Sequence, residues 1–170
     1  MEQGGDINIR SDSENSIDVV GALQTYSDAG TAGNVNLTSP GSINIRGIRS
    51  EGMEQGGDIQ VNSERGEINS TGDIDSHSDA GRGGNIEVNA PERVTLGDVS
   101  SYGMEKSGDL IIQSRAARVN TGNVKTEAPQ GNSGSIVING TEVGTEDLSS
   151  IGTTRACLLY TSPSPRDTTA

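Results

Sequence analysis

Met53-Glu54-Gln55-Gly56-Gly57-Asp58-Ile59-Gln60-Val61 opens the unit from which the chain is built. Its first seven residues also stand at 1–7, an offset of 52. An altered copy, Met104-Glu105-Lys106-Ser107-Gly108-Asp109-Leu110, follows at an offset of 51. Ser27-Asp28-Ala29-Gly30 returns as Ser78-Asp79-Ala80-Gly81, and Pro40 returns as Pro91, both 51 residues on. Self-similarity at a fixed period is the signature of a repeat architecture.

The long unit divides in two. Glycine, then Asp, Asn or Ser, then two aliphatics one residue apart, recurs six times. Its polar residue falls at Asp6, Asn34, Asp58, Asn85, Asp109 and Ser135, at spacings of 28, 24, 27, 24 and 26. A unit of about 25 residues is too short to bury a core alone. It suits one coil of a solenoid, which buries its face only against its neighbours.

Within each coil the apolar residues alternate, which is the period of a strand. The first strand supplies one column, Ile7, Val35, Ile59, Ile86, Leu110 and Ile136. Two residues on comes a second, Ile9, Leu37, Val61, Val88, Ile112 and Ile138. A second strand supplies Ile17, Ile43, Ile68, Val94, Val119 and Val143. A third supplies Leu23, Ile48, Ile74, Val99, Val124 and Leu148. β-Branched residues dominate, as a packed pleated surface prefers. The fold expected is therefore all-β, a parallel β-solenoid of about six coils with three short strands each. At the usual strand spacing the six coils make a rod of about 29 Å. Glycines before the third strand, such as Gly21, Gly47, Gly72, Gly97 and Gly122, fit corners where φ turns positive or backbones approach closely. Length varies in the Gly/Ser/Asp-rich stretches 26–33, 76–84 and 127–134, which read as loops on one edge.

Composition alone points the other way. Leu, Ile, Val and Phe make 33 of 170 residues, Phe and Trp are absent, and the formal net charge is -12. Such a balance ordinarily signals disorder. Four in-register aliphatic columns do not arise in a random polar chain, so the composition reflects a thin core under a large polar surface. The charge argues against nucleic acid and anionic membranes, which want clustered basic residues. No stretch is long and apolar enough to read as a membrane span.

The first polar column reads Asp, Asn, Asp, Asn, Asp, Ser. Stacking then sets carboxylates two coils apart, about 9.6 Å, instead of one. That relieves like-charge repulsion and gives the two-coil period a physical reason. Duplication history accounts for the same period, and the sequence does not choose between them.

Residues 157–170 stand apart. Cys157-Leu158-Leu159-Tyr160-Thr161-Ser162-Pro163-Ser164-Pro165-Arg166-Asp167 resembles one reading frame of a transposase-type sequencing adapter. The array is accordingly expected to occupy 1–156, with 157–170 an artefactual, unstructured tail. Met1 sits in the repeat register with Met53 and Met104. Both ends are therefore expected to be truncations of a longer array, leaving strand edges prone to aggregation or fraying.

No catalytic and no cofactor-binding residue is assigned. The corner before the third strand offers Asp73, Asp98, Asn123 and Asp147, one per coil. Asp73, Asp98 and Asp147 are metal candidates, for calcium, which takes hard oxygen ligands. A solvated polar corner is the preferred reading, since turns use short polar residues anyway. Asp28 and Asp79 read as turn residues, with a metal site as the alternative. His77, between two serines, reads as a surface residue with no nucleophile or pocket in sight. Arg46, Arg49 and Lys125 read as solvating residues of a strand surface. Tyr26 and Tyr102 are the only aromatics before the tail, weak support for a sugar platform.

Gly33-Asn34-Val35-Asn36-Leu37, Gly84-Asn85-Ile86-Glu87-Val88 and Ser27-Asp28-Ala29-Gly30-Thr31-Ala32-Gly33 resemble the repeats of filamentous-haemagglutinin-like large exoproteins. The resemblance spans about residues 1–156 and rests on pattern, with no invariant motif. It implies a right-handed parallel β-helix, exported by two-partner secretion and active in adhesion at the cell surface. The family's secretion domain is not in this sequence, and no family binding residue maps onto it. The expectation is a structural or adhesive stalk segment, secreted or surface-exposed and without catalysis of its own. Its partners would be a host or neighbouring cell surface, a glycan or matrix, and further coils of the same chain. One rival is a β-helix lyase or hydrolase acting on acidic polysaccharide, which needs acids with Lys or Arg on one face. Another is a calcium-stabilised surface repeat.

Overall fold

The computed structural model describes residues 2–12, 15–153 and the backbone of 155–161. Among the described residues there are 19 strands and no helix. Coil 2 shows the plan, with strands Val35–Ser39, Ile43–Ile45 and Ile48–Gly52. Like strands of successive coils stack into three parallel sheets of seven, six and six strands. The chain is thus a β-solenoid of about six turns.

The sequence columns are the ladder register itself. In the first sheet Ile7 pairs Val35, Val35 pairs Ile59, and the line continues through Ile86 and Leu110 to Ile136. In the second, Ile17, Ile43, Ile68, Val94, Val119 and Val143 pair in turn. In the third, Leu23, Ile48, Ile74, Val99, Val124 and Leu148 do the same. Of these, Val35, Leu37, Ile43, Ile74, Ile86, Val99 and Ile138 are fully buried. A one-residue slip in any strand would turn its whole apolar set to solvent, so the alternation fixes the register.

A fourth, single-residue ladder runs through Gln3, Thr31, Gln55, Arg82, Lys106 and Asn132, just before the glycine corner. The alternation test could not find it, because one paired residue per coil has no period.

The interior also holds hydroxyls. Thr25, Ser50, Ser76, Ser101, Thr126 and Ser150 pair in register along the third sheet, two residues beyond its aliphatic column. Ser50, Ser76 and Thr126 are completely buried. Buried hydroxyls need partners, and the glycine corner of the first sheet supplies them. Ser76 Oγ donates to the Gly57 carbonyl at 2.9 Å and accepts the Gly84 N–H at 2.9 Å. Ser50 bridges Gly33 and Gly57 in the same way, and Ser101 bridges Gly84 and Gly108.

This explains the glycine of the repeated motif. A Cβ on Gly57, Gly84, Gly108 or Gly134 would overlap the carbonyl oxygen of the glycine one coil below. Glycine is required for close backbone approach, with no call on positive φ.

The expectation that everything from 157 onward is unstructured needs correcting for 157–161. Arg155–Thr161 forms a strand parallel to Asn132–Asn139, with Ile136 opposite Leu158 and Ile138 opposite Tyr160. The physical reason is the edge of Asn132–Asn139, whose unpaired N–H and C=O groups accept any extended segment that reaches them. The pairing concerns backbone register and not the origin of that sequence. Residues 162–170 lie outside the described residues.

Candidate functional site

Both corners that open a sheet use one device. At the first, Asp6 Oδ1 accepts the Asn34 backbone N–H at 2.7 Å. Asn34 Oδ1 accepts that of Asp58 at 2.9 Å, Asp58 that of Asn85 at 2.7 Å, and Asn85 that of Asp109 at 2.9 Å. Asp109 accepts that of Ser135 at 2.7 Å. The shorter bonds fall on the carboxylate acceptors, as charge assistance dictates. The five members from Asp6 to Asp109 are thereby each spent on holding the next coil.

At the third-sheet corner, Asp73 Oδ1 accepts the Asp98 N–H at 3.2 Å. Asp98 accepts the Asn123 N–H at 2.8 Å and the Asn123 side-chain amide on both carboxylate oxygens, at 3.3 and 3.2 Å. Of the three carboxylates proposed from sequence as calcium ligands, Asp73 and Asp98 therefore have a structural task, while Asp147 takes part through its backbone carbonyl, which accepts the Val124 N–H at 2.8 Å. Among the described residues, no three His, Cys, Asp or Glu side chains are grouped to hold one metal ion.

This second corner borders a groove of about 780 Å³ that runs along the stack. One wall is the corner row Asp73, Asp98, Asn123 and Asp147. The other is the outward row two residues on, where Arg49, Asp75, Ser100, Lys125 and Ser149 pair in register. Between the rows lies the backbone of the Ile48–Val124 column, whose side chains point into the core. Strand alternation creates this shape, because the residues on either side of an inward one both point out. It also gathers residues that the sequence reading kept apart. Arg46, Arg49 and Lys125 share the groove with Asp73, Asp75, Asp98 and Asp147.

Charges in the groove are partly spoken for. Arg49 Nε lies 3.2 Å from Glu51 Oε2 and 3.8 Å from Asp75 Oδ2. Lys125 pairs with Glu127. The Ser100 hydroxyl donates to Asp75 Oδ1 at 2.5 Å. The cations of these pairs are about half exposed and their carboxylates less so, and pairs this open to solvent add little to stability.

His77 lies outside the groove lining, in the next outward row of the same sheet. Its ring stacks on Tyr102 with centroids 4.6 Å apart and planes 9° apart. Its Nε2 lies 3.0 Å from Asp79 Oδ1. The two rings cover one face of each other, so they do not form an open sugar platform. Tyr26 is 61% exposed. Its hydrogen bond to Asp28, and then the charge of Asp28, push the phenol above its ordinary pKa. Asp79 serves as a turn residue, its N–H donating to the Gly52 carbonyl at 3.3 Å.

Two features escaped the sequence reading. The buried hydroxyl row left a signal, since Ser or Thr recurs two residues after every third-strand aliphatic. The groove left none in the linear pattern, because its walls come from five coils and mix every polar type.

No family model, curated protein or solved structure matches the chain.

Proposed function

We propose that the chain is a structural and adhesive stalk segment of a large secreted or surface-exposed exoprotein, with no catalysis of its own. The observation that carries this reading is the unbroken register. The same aliphatic columns pair through all six coils without a bulge. The outward side chains are largely used to tie coils together, as in the amide pair Asn36–Asn8 and the pair Asn44–Asp18. Such a stack lengthens by repetition and offers an extended surface. The resemblance to filamentous-haemagglutinin-like exoproteins supports export and adhesion by analogy. Among the described residues, no helix is long and apolar enough to cross a membrane.

A second reading draws on one observation. The groove brings carboxylates together with Arg46, Arg49 and Lys125, the composition an enzyme acting on acidic polysaccharide would need. One assay separates the two. The chain is incubated with polygalacturonate, alginate and neutral glycans, with and without calcium, and new reducing ends and unsaturated products are measured. The stalk reading expects no turnover. Turnover that disappears in the Asp73→Asn, Asp98→Asn double variant would replace it with the enzyme.

A further inference from the structure

We propose that the third-sheet groove binds an extended, amine-bearing oligosaccharide of the glucosamine type. The inference rests on the adhesive part of the proposed function and names its ligand class.

The groove excludes other extended ligands by its construction. Its floor is backbone already hydrogen-bonded within the sheet, so a peptide cannot add as a strand. Ile48, Val99 and Val124 beneath it are buried, at 1%, 0% and 0% exposure, and leave no pockets for apolar side chains. A polyanion is disfavoured by four lining carboxylates against three cations, of which Arg49 and Lys125 already face Glu51 and Glu127. The net charge of -12 extends that bias over the whole chain.

What remains is a polar, linear chain whose repeat matches the coils. Polar groups present themselves every coil, about 4.8 Å apart. An extended sugar chain advances by nearly that distance per residue, so successive sugars meet successive coils. Hydroxyls then find Ser100, Ser149 and Asn123. Amines find Asp73, Asp98 and Asp147 along one wall and Asp75 on the other. A protonated amine between Asp73 and Asp98 also relieves the repulsion between two adjacent carboxylates, through charge-assisted hydrogen bonds.

The ladders supply an unusually clean test. Asn34 and Asn85 show that Asn also serves the ladder, with bonds about as short. Asp73→Asn, Asp98→Asn and Asp147→Asn together therefore remove three groove charges while keeping the acceptors. Asp6→Asn, Asp58→Asn and Asp109→Asn remove three charges from the other corner and serve as the matched control. Fluorescently labelled hexamers of glucosamine, N-acetylglucosamine and galacturonate are titrated by anisotropy, and circular dichroism confirms each variant's fold. The glucosamine hexamer is expected to bind saturably and to weaken as salt rises. The groove variant should lose at least about tenfold in affinity, and the control should stay within about twofold. Equal losses in both variants, or equally tight binding of either other hexamer, would overturn the proposal. If no hexamer binds, the groove proposal falls while the stalk reading, tested by turnover, stands.

Discussion

The two glycine corners run the same hydrogen-bond ladder and differ in what lies behind it. At the first-sheet corner, glycine precedes the ladder residue in all six coils, from Gly5-Asp6 to Gly134-Ser135. Behind it, buried Ser50, Ser76 and Ser101 bridge successive glycines. At the third-sheet corner, coil 2 has Arg46-Gly47 and coil 6 has Glu146-Asp147, and the groove takes the place of the serines. Carboxylates alternate with amides at the first corner and stand in adjacent coils at the third. The ladder bond at the Asp73–Asp98 step is 3.2 Å, against 2.7 to 2.9 Å throughout the first corner. A corner whose only task is to stack coils is closed, backed and charge-spaced. A corner that keeps adjacent charges beside an open groove gives up some of that order.

The largest expected effect is at the glycines. Gly84→Ala drives a Cβ into the Gly57 carbonyl, which the bridging serines hold in place. It should cost about 3 kcal/mol or more. At the other corner, Gly122→Ala meets the Asp98 side chain first, with backbone no nearer than 3.3 Å. That side chain is held by Asn123 and gives way more readily than a backbone carbonyl, so the cost should be about 2 kcal/mol. Urea denaturation of both variants measures the gap, which belongs to Gly122 and not to its whole corner, since a Cβ on Gly72 would meet the Arg46 carbonyl. Equal costs would show that the Asp98 side chain yields no more than the Gly57 carbonyl.

Next comes Ser76→Ala, which strips a partner from the Gly57 carbonyl and the Gly84 N–H inside the stack. About 2 kcal/mol is expected from two buried groups left unpaired. Ser100→Ala, on the groove side of the neighbouring strand of that sheet, should cost under about 0.5 kcal/mol. The same denaturation assay compares them.

Smaller effects follow from charge. Asp73→Asn removes repulsion at the adjacent step and should raise stability by about 0.5 kcal/mol or less. Asp58→Asn, at the alternating corner, should leave it unchanged or slightly lower, since it trades a charge-assisted bond for a neutral one. Asp58→Ala should cost about 1 kcal/mol through loss of the acceptor. The smallest effect is nil. A calcium chelator should not move the Tm, because among the described residues no three acidic or histidine side chains, those of the Asp73–Asp98 corner included, are grouped to hold one ion. A fall in Tm would point to an ion at that corner.

Much of this was legible in the sequence. Ile7 to Ile136 and the three other columns announce the ladders because strand period and coil period act together on every residue. Composition misled, since so few aliphatics suffice only when most are stacked in columns against an aliphatic neighbour one coil away. Asp73, Asp98 and Asn123 were legible as a row, but the task of Asp73 and Asp98 as N–H acceptors depends on a residue 25 positions on. Arg46, Arg49 and Lys125 gave no sign of sharing a groove, because walls built across coils leave no local pattern. The strand at Arg155–Thr161 was missed because an exposed edge selects for extension more than for sequence.

The central claim is that the molecule is a register-locked stack whose two-coil units are interchangeable. Duplicating residues 53–103 in place adds one such unit without breaking the column order. Spin labels at Asp18→Cys and Asn120→Cys, with Cys157→Ser, read the length along one column of the second sheet. The labels sit four coils apart, about 19 Å, and the insertion should move them to about 29 Å with cooperative unfolding retained. An unchanged distance, or a broad distribution with loss of β-structure, would contradict the account.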